Sequence, residues 1–295
     1  MLQPQETRHP FWIAATPALF VLLWSSGFIG AKFGLPYAEP LTFLLIRFLL
    51  VVALLLPVAL WMRAPWPESP IAAAHIAVAG LLIHAGYLAG VFGAIHLGVP
   101  AGIVALIAGL QPVIAAVAAA PLLAEKVTAR QWLGLGLGFA GVVMVISGKA
   151  TLQWGSAAGT ALAFFALACF TAGTLYQKRF CSHLDLRSGG VIQFGASALV
   201  LAPLAYFLET MQVVWSGEFV FALAWLTLVL SLGAISLLYL MIRHGEAARV
   251  SSLFYLTPPV TAIIAYFIFG EKLGLAALAG MALSALGVAL VVRKG

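Results

Sequence analysis

Two side chains that could take part in chemistry lie deep inside apolar stretches of this sequence. Arg47 lies within Leu41–Met62, and His84 lies midway along Ile71–Ile95. If these stretches cross a lipid bilayer, a charge at mid-depth costs at least about 2.5–3.5 kcal/mol and needs a polar partner or a water-filled cavity. Two roles are therefore open for Arg47: it attracts the carboxylate of a bound molecule, or it snorkels toward Glu39 or holds helices together.

Tyr87 follows His84 at i+3, so a regular helix places both groups on one face. Such a pair can contact the polar end of a bound molecule, and an interhelical hydrogen bond is the alternative. Because no acidic side chain lies as deep in an apolar stretch, His84 is also the leading candidate for a response to pH near neutrality.

Prolines interrupt two apolar stretches at corresponding places. Gln111-Pro112 and Pro258-Pro259 predict bent or broken helices, since a proline inside a helix removes a backbone hydrogen bond that must be replaced internally in lipid. Paired helix breaks of this kind indicate a binding site and points of bending in membrane transporters, and a packing kink is the alternative.

Further candidates for the lining of a cavity are polar and aromatic residues of other stretches. Ser251 and Tyr255 share a helix face with Pro258 and Pro259. Aromatic groups suit an apolar or aromatic ligand, although each of them also packs well against helices or lipid. The remaining candidates are Trp24, Ser25 and Phe28 in the first apolar stretch and Phe164, with Phe165, in the sixth.

The sequence predicts no catalytic residue, metal site or cofactor. Its nine Asp and Glu residues fall in loops or at helix ends, and its histidines and cysteines lack the spacing of metal ligands. The Gly-x-Gly-x-x-Gly pattern at 136–141 lies inside an apolar stretch, where it indicates close helix packing rather than dinucleotide binding. An enzyme is therefore not expected.

Membrane-spanning helices must position these residues. The chain is 63% hydrophobic and 8% charged, whereas soluble domains carry about 25% charged residues. About ten stretches have the length of a transmembrane helix, which predicts an all-α integral membrane protein. They are Phe11–Lys32, Leu41–Met62, Ile71–Ile95, Ala101–Ala124, Ala129–Ser147, Ala157–Gln177, Ser188–Leu208, Phe219–Ile242, Ala247–Phe269 and Leu273–Val292.

The distribution of Lys and Arg predicts the orientation. With both termini in the cytoplasm, the loops place eleven basic residues inside and only Lys32, Lys149 and Lys272 outside. The net charge of +6 is thus a topology signal, and no nucleic-acid partner is expected. We expect a multi-pass protein of the cell inner membrane.

The two halves of the chain are similar to each other. Gly27, Lys32, Phe48 and Pro57 recur 146 positions later, and Gly86, Gly98 and Pro112 recur 147 positions later. The pattern predicts five-helix repeats at 11–147 and 156–292. An odd number of helices inverts the second repeat in the membrane, as in many secondary transporters.

Several of these segments resemble EamA-type members of the drug/metabolite transporter superfamily. The opening motif is Leu-Trp-Ser-Ser-Gly-Phe at 23–28, and the similar repeat ends include Glu125-Lys126 with Gly134 and Glu271-Lys272 with Gly280. The chain is most similar to bacterial aromatic amino-acid exporters. One departure is that the second half has Gln193 where the first has Arg47.

The resemblance implies a secondary transporter that exports small organic metabolites, in the first place aromatic or neutral amino acids, by alternating access. Drugs, nucleotide sugars and other polar metabolites are alternative substrates within the superfamily. A membrane-embedded enzyme acting on lipid is the alternative class, and the missing carboxylates and metal ligands argue against it. The expected partners are a small-molecule substrate and the bilayer, and the sequence predicts no oligomeric state.

Overall fold

The computed structural model describes residues 10–99, 104, 107–123, 127–147, 156–244, 247–269 and 274–292. Within these ranges the regular structure is helical, apart from one isolated bridge between Ala38 and Val213. The helices are α1 (Pro10–Gly34), α2 (Pro40–Trp61), α3 (Pro70–His96), α4 (Gln111–Leu123), α5 (Ala129–Ser147), α6 (Ala157–Phe180), α7 (Leu186–Leu208), α8 (Gly217–Arg243), α9 (247–269) and α10 (Leu275–Val292).

Six of the described helices are long and apolar enough to cross a membrane: α2, α3, α6, α7, α8 and α10. Shorter apolar segments occupy Ala15–Gly27 in α1 and Ala129–Val145 in α5. The fourth predicted stretch begins at Ala101, which lies outside the described residues, and α4 itself begins at Gln111. The all-helical membrane fold is confirmed, whereas crossing by ten helices stays a prediction.

Polar side chains define where several helices begin. Ser69, Ser156 and Ser216 each accept a hydrogen bond from the backbone N–H three residues later, and Asp185 accepts bonds from Arg187 and Ser188. These bonds satisfy donors that have no partner within the helix. The apolar helices therefore start at defined residues.

Helix α5 packs against α10 through glycines. A Cβ atom on Gly134 would lie 2.6 Å from the carbonyl oxygen of Gly287, and one on Gly141 would lie 2.6 Å from that of Gly280. The earlier glycine of α5, Gly134, meets the later glycine of α10, Gly287, and Gly141 meets Gly280, so the two helices are antiparallel. The 146-residue offset pairs Gly134 with Gly280 and Gly141 with Gly287, so equivalent helices of the two halves meet symmetrically.

Helices α2 and α7 form a second contact between equivalent helices. Phe48 and Phe194 are 146 positions apart, and their ring centroids lie 5.5 Å from each other. At one end of this pair, Glu209 accepts hydrogen bonds of 2.7 Å from the backbone N–H groups of Leu41 and Thr42. Glu39 accepts a bond of 2.7 Å from the Thr210 N–H, and hydrogen bonding by Thr210 lowers the pKa of Glu39. The start of α2 and the end of α7 are thereby joined.

Both halves contain a π-helical turn at corresponding places. The turns span Leu81–Gly86 in α3 and Leu226–Ala234 in α8, and the 147-residue offset places the first turn within the second. A π turn adds a residue to the helical repeat and occurs frequently at functional sites. Sequence periodicity did not reveal either turn.

Helical irregularities also precede the repeated prolines. A turn at Gly109 and Leu110 precedes α4, and a 3₁₀ turn at Leu253–Leu256 interrupts α9. Pro112 and Pro258 therefore lie in the first turn of the helical segments that follow, where a backbone N–H is not needed.

Substitution of Gly141 tests the contact between α5 and α10. In Gly141→Ala, the new Cβ would lie 2.5 Å from the Ser284 backbone nitrogen and 2.6 Å from the Gly280 oxygen. Neither backbone atom can move freely, so we expect a loss of about 1–3 kcal/mol in unfolding free energy. Gly136→Ala is the control, because no heavy atom lies within 4 Å of its added Cβ. Thermal unfolding in detergent compares the two variants, and equal losses would contradict the packing argument.

Candidate substrate-binding site

A cavity lies between α1, α3 and α8. The space between its lining atoms, part of which is open to solvent, is about 560 Å³. Most of the wall is apolar, and the Arg47 side chain from α2 contributes the charge. Lining residues include Trp24, Gly27, Tyr87, Val91, Phe92 and Leu230.

An aromatic cluster closes one end of this cavity. Tyr87 stacks on Phe170 with 4.4 Å between ring centroids, and Trp24 lies 6.4 Å from Tyr87 in a stacked orientation. Phe254 meets Trp24 and Phe170 edge to face, at 5.3 and 5.1 Å. These four rings line a second cavity of about 350 Å³, and Trp24 and Tyr87 line both cavities.

A third cavity continues toward the opposite face of the bundle. It has an empty volume of about 270 Å³ and shares Phe254 with the second cavity. Lys178, near the end of α6, lines it. Because the Ser156 hydroxyl before α6 donates to the Leu97 carbonyl after α3, α6 starts at the face where α3 ends. The three cavities therefore follow one another from the Ile95 end of α3 toward Lys178.

A buried polar cluster adjoins the first cavity. Arg47 Nε donates to Ser231 Oγ at 2.9 Å, and Ser231 Oγ donates to the Leu226 carbonyl at 3.1 Å. That carbonyl lies five residues before Ser231 in the π turn of α8. His84 Nε2 is hydrogen-bonded to the Tyr239 hydroxyl at 2.9 Å. The π turns thus place polar groups where the helices of the two halves meet.

The cluster repeats itself with different residue types. Arg47 corresponds to Gln193, and His84 corresponds to Ser231. Arg47 bonds Ser231, and Gln193 lies beside His84, whose ring stacks on Phe194 at 4.0 Å. Nδ1 of His84 and Oε1 of Gln193 are buried without a partner. A hydrogen bond donated by a protonated Nδ1 to Oε1 would satisfy both atoms.

Arg47 is 3% exposed and has few polar contacts. Among the described residues, its guanidinium makes one hydrogen bond, from Nε to Ser231, and no ion pair. The two terminal nitrogens make no hydrogen bond to a described residue, and they are not fully buried. They therefore face the cavity that Arg47 lines. The described structure therefore directs an uncompensated positive charge into an apolar cavity.

The predicted candidates occupy different surroundings. Trp24, Tyr87 and Arg47 line the first cavity, Pro258 the second and Ser251 the third. The remaining candidates do not line these cavities as described. Gln111 Nε2 donates to Ser251 Oγ at 3.2 Å, Ser25 Oγ donates to the Thr257 carbonyl at 3.4 Å, and Tyr255 is fully buried with an unpaired hydroxyl.

Three of the phenylalanines predicted as possible cavity residues are not found in the lining of the described cavities. Phe164 and Phe165 are 46% and 52% exposed, so the structure does not bring them to the cavities. Phe28 lies in α1, and its side chain falls outside the described part of the chain.

His84 and Tyr87 have different surroundings in the structure. Tyr87 lines the cavity, whereas His84 is enclosed by Phe48, Phe194 and Tyr239. The π turn at Leu81–Gly86 ends between them and changes the helical phase, so the expected shared face is not formed.

Sequence reasoning missed the partners in the polar cluster. Ser231 and Tyr239 bond Arg47 and His84, and Gln193 Nε2 donates to Gln177 Oε1 at 2.8 Å. The repeat offset carried a usable signal, because it places Ser231 opposite His84. Phe170 and Phe254 had no distinguishing signal in an apolar sequence.

The described helices make this a multi-pass membrane protein, and comparison identifies its family. The sequence pattern of the EamA-like transporter family matches residues 11–147 and 157–293. The chain belongs to this family and is a transporter rather than an enzyme.

Several curated bacterial proteins resemble the whole chain. The uncharacterized transporter YvbV of Bacillus subtilis is 29% identical, over 100% of this chain and 94% of its own length. The uncharacterized inner membrane transporter YedA of Escherichia coli K12 is 26% identical, over 87% of this chain and 83% of its own. A probable amino-acid metabolite efflux pump of Salmonella typhimurium is 25% identical, over 92% and 91%. One crystal structure shares the fold, with a TM-score of 0.77 at 18% identity over 94% of this chain and 96% of that chain.

Two tyrosine substitutions test the polar cluster. Tyr239→Phe removes the hydroxyl that bonds His84 Nε2, and the buried nitrogen left without its partner costs about 1–3 kcal/mol of unfolding free energy. Tyr255→Phe is the matched control, because its buried hydroxyl has no partner and its loss should be neutral or stabilising. Thermal unfolding of the purified protein measures both. A Tyr255 variant as unstable as the Tyr239 variant would refute this assignment.

Proposed function

We propose that this protein is a secondary transporter that exports small organic metabolites from the cytoplasm, with aromatic or neutral amino acids and their derivatives as the first substrates to test. The observation that carries the proposal is the series of three cavities with an aromatic cluster between the first and the third. The name of the Salmonella relative, a probable amino-acid metabolite efflux pump, agrees with this substrate class. Aromatic walls favour a ligand with an apolar or aromatic body.

Ten membrane crossings in two inverted repeats, at 11–147 and 156–292, are the proposed architecture. The antiparallel contact of α5 with α10 supports it, because equivalent helices of an inverted pair run in opposite directions. The π turns lie at equivalent places in the two halves, and so do the helix irregularities before Pro112 and Pro258, which also supports two repeats.

Alternating access then has a defined physical basis. Trp24, Tyr87, Phe170 and Phe254 form the barrier between cavities, and opening requires their ring contacts to separate. The segments around Pro112, Pro258 and Pro259 are the proposed points of bending. The glycine contact of α5 with α10 involves backbone on both sides and is the proposed fixed element.

The proposed location is the cell inner membrane, with both termini in the cytoplasm. The Lys/Arg distribution supports this orientation, and the Escherichia coli relative, an inner membrane transporter by name, supports the location. In this orientation the cavity beside Arg47 is nearer the outside and the cavity beside Lys178 is nearer the cytoplasm.

Transport by purified protein in liposomes tests the function. We expect labelled aromatic or neutral amino acids to exchange across the vesicle membrane, with and without an imposed pH gradient. Trp24→Leu should lower exchange at least about tenfold, because Trp24 contacts both cavities and three rings of the barrier. Trp61→Leu is the control, since Trp61 is 86% exposed at the end of α2. Equal exchange by both variants, at equal amounts of folded protein, would remove the aromatic cluster from the pathway.

Thiol labelling tests the orientation. Cys181 lies in the loop between α6 and α7, but it is buried, and burial raises its pKa to about 11. The reactive thiolate is therefore scarce at neutral pH, and Cys181 should react slowly from either side, with a rate that rises up to about pH 11.

An exposed neighbouring position gives a usable label. His183→Cys, in a Cys181→Ser background, should react with an impermeant maleimide in inside-out vesicles and remain unlabelled in intact cells. Gln212→Cys, exposed in the loop between α7 and α8, should show the reverse pattern. Labelling of residue 183 from outside intact cells would invert the proposed topology.

A further inference from the structure

The first cavity contains a positive charge without a matching negative charge among the described residues. The charge belongs to Arg47, whose side chain lines this cavity. The described acidic residues line none of the cavities; they are Glu39, Glu68, Asp185, Glu209 and Glu218. An anion is therefore the ligand whose charge the first cavity compensates.

The shape of the Arg47 site favours a carboxylate. Ser231 holds Nε, which leaves the two terminal nitrogens for a ligand. A guanidinium presents paired donors that match both oxygens of a carboxylate, and the interaction is strong where water is excluded. The aromatic wall formed by Trp24 and Tyr87 lies in the same cavity, within reach of the rest of the ligand.

A zwitterionic amino acid fits this site less well than an anion with the same side chain. Its ammonium group lies two bonds from the carboxylate carbon, so binding to Arg47 brings it close to the guanidinium. Among the described lining residues no carboxylate compensates the ammonium group. Juxtaposed like charges cost several kcal/mol where screening is weak, enough to decide between two substrates.

We infer that the cavity beside Arg47 selects a monocarboxylate anion with an aromatic or apolar body over the zwitterionic amino acid of the same side chain. Deaminated and N-acylated derivatives of aromatic amino acids have this chemistry. The inference rests on the proposed transport function and narrows its substrate class.

A charge series on one ring system tests the selection. Binding to the purified full-length protein is measured by calorimetry, and exchange is measured in liposomes, for 3-phenylpropionate, phenylalanine and 2-phenylethylamine. We expect 3-phenylpropionate to bind at least about tenfold more tightly than phenylalanine, and 2-phenylethylamine not to bind. Arg47→Gln, which introduces the residue type of the equivalent position Gln193, should abolish the difference, and Arg47→Lys should retain part of it.

Ser231→Ala provides a variant that keeps the charge. It removes the anchor of Nε, so we expect weaker binding with the order of preference unchanged. The comparison of the three ligands on the unmodified protein remains decisive even if Arg47→Gln does not fold.

The remaining outcomes separate this inference from the proposed function. Equal or tighter binding of phenylalanine would overturn the anion preference while leaving amino-acid export intact. Tighter binding of 2-phenylethylamine would overturn it as well. Failure of all three ligands to bind or exchange would overturn both the inference and the proposed substrate class.

Discussion

The cost of holding a guanidinium inside a membrane domain constrains the centre of this protein. Arg47 is 3% exposed, and the hydrocarbon around the bundle offers it no compensation. Among the described residues the guanidinium has one hydrogen-bond partner, the neutral Ser231, and its remaining donors face a cavity. A hydroxyl orients the charge without neutralising it, so the cavity retains a positive potential.

The π turns make this arrangement geometrically possible. In a regular helix the Leu226 carbonyl would accept from the backbone N–H of residue 230, whereas in a π turn the backbone bonds reach one residue further. The Leu226 carbonyl also accepts a hydrogen bond from the Ser231 hydroxyl, five residues ahead. Ser231 is thereby fixed by its own helix while it orients Arg47 from the neighbouring one. The corresponding turn in α3 carries His84, whose ring is fixed by Phe194 and Tyr239. One local distortion, used in both halves, positions two different polar groups.

Composition and repeat spacing predicted much of the fold, because the physics behind them is general. A chain with so few charges must form apolar helices, and glycines at matching places in two halves indicate close helix contacts, as α5 and α10 show. The site was harder to predict. Periodicity placed His84 and Tyr87 on one face because it assumes a constant helical repeat, and the π turn breaks that assumption.

Aromatic residues were the least predictable part of the site for a different reason. In a soluble protein the hydrophobic effect would favour a buried phenylalanine over an exposed one. In lipid a phenylalanine is stable whether it faces the bundle or the hydrocarbon. Phe165 is half exposed, and Phe170 lies within the barrier of rings, although both belong to the same apolar helix α6. Only the packing of α3 and α9 against α6 distinguishes them.

The contact between Phe48 and Phe194 lies where equivalent parts of the two halves meet, and this gives the joining of the halves in one chain an electrostatic consequence. If two identical copies of the first half assembled in the same way, each would bring an arginine to the turn next to this contact. Two guanidinium groups would then share a region of low dielectric constant, where their repulsion is poorly screened. A fused chain can differ between its halves, and here glutamine stands at position 193. Duplication within one polypeptide thus permits an odd number of charges at a centre that a homodimer would have to fill in pairs.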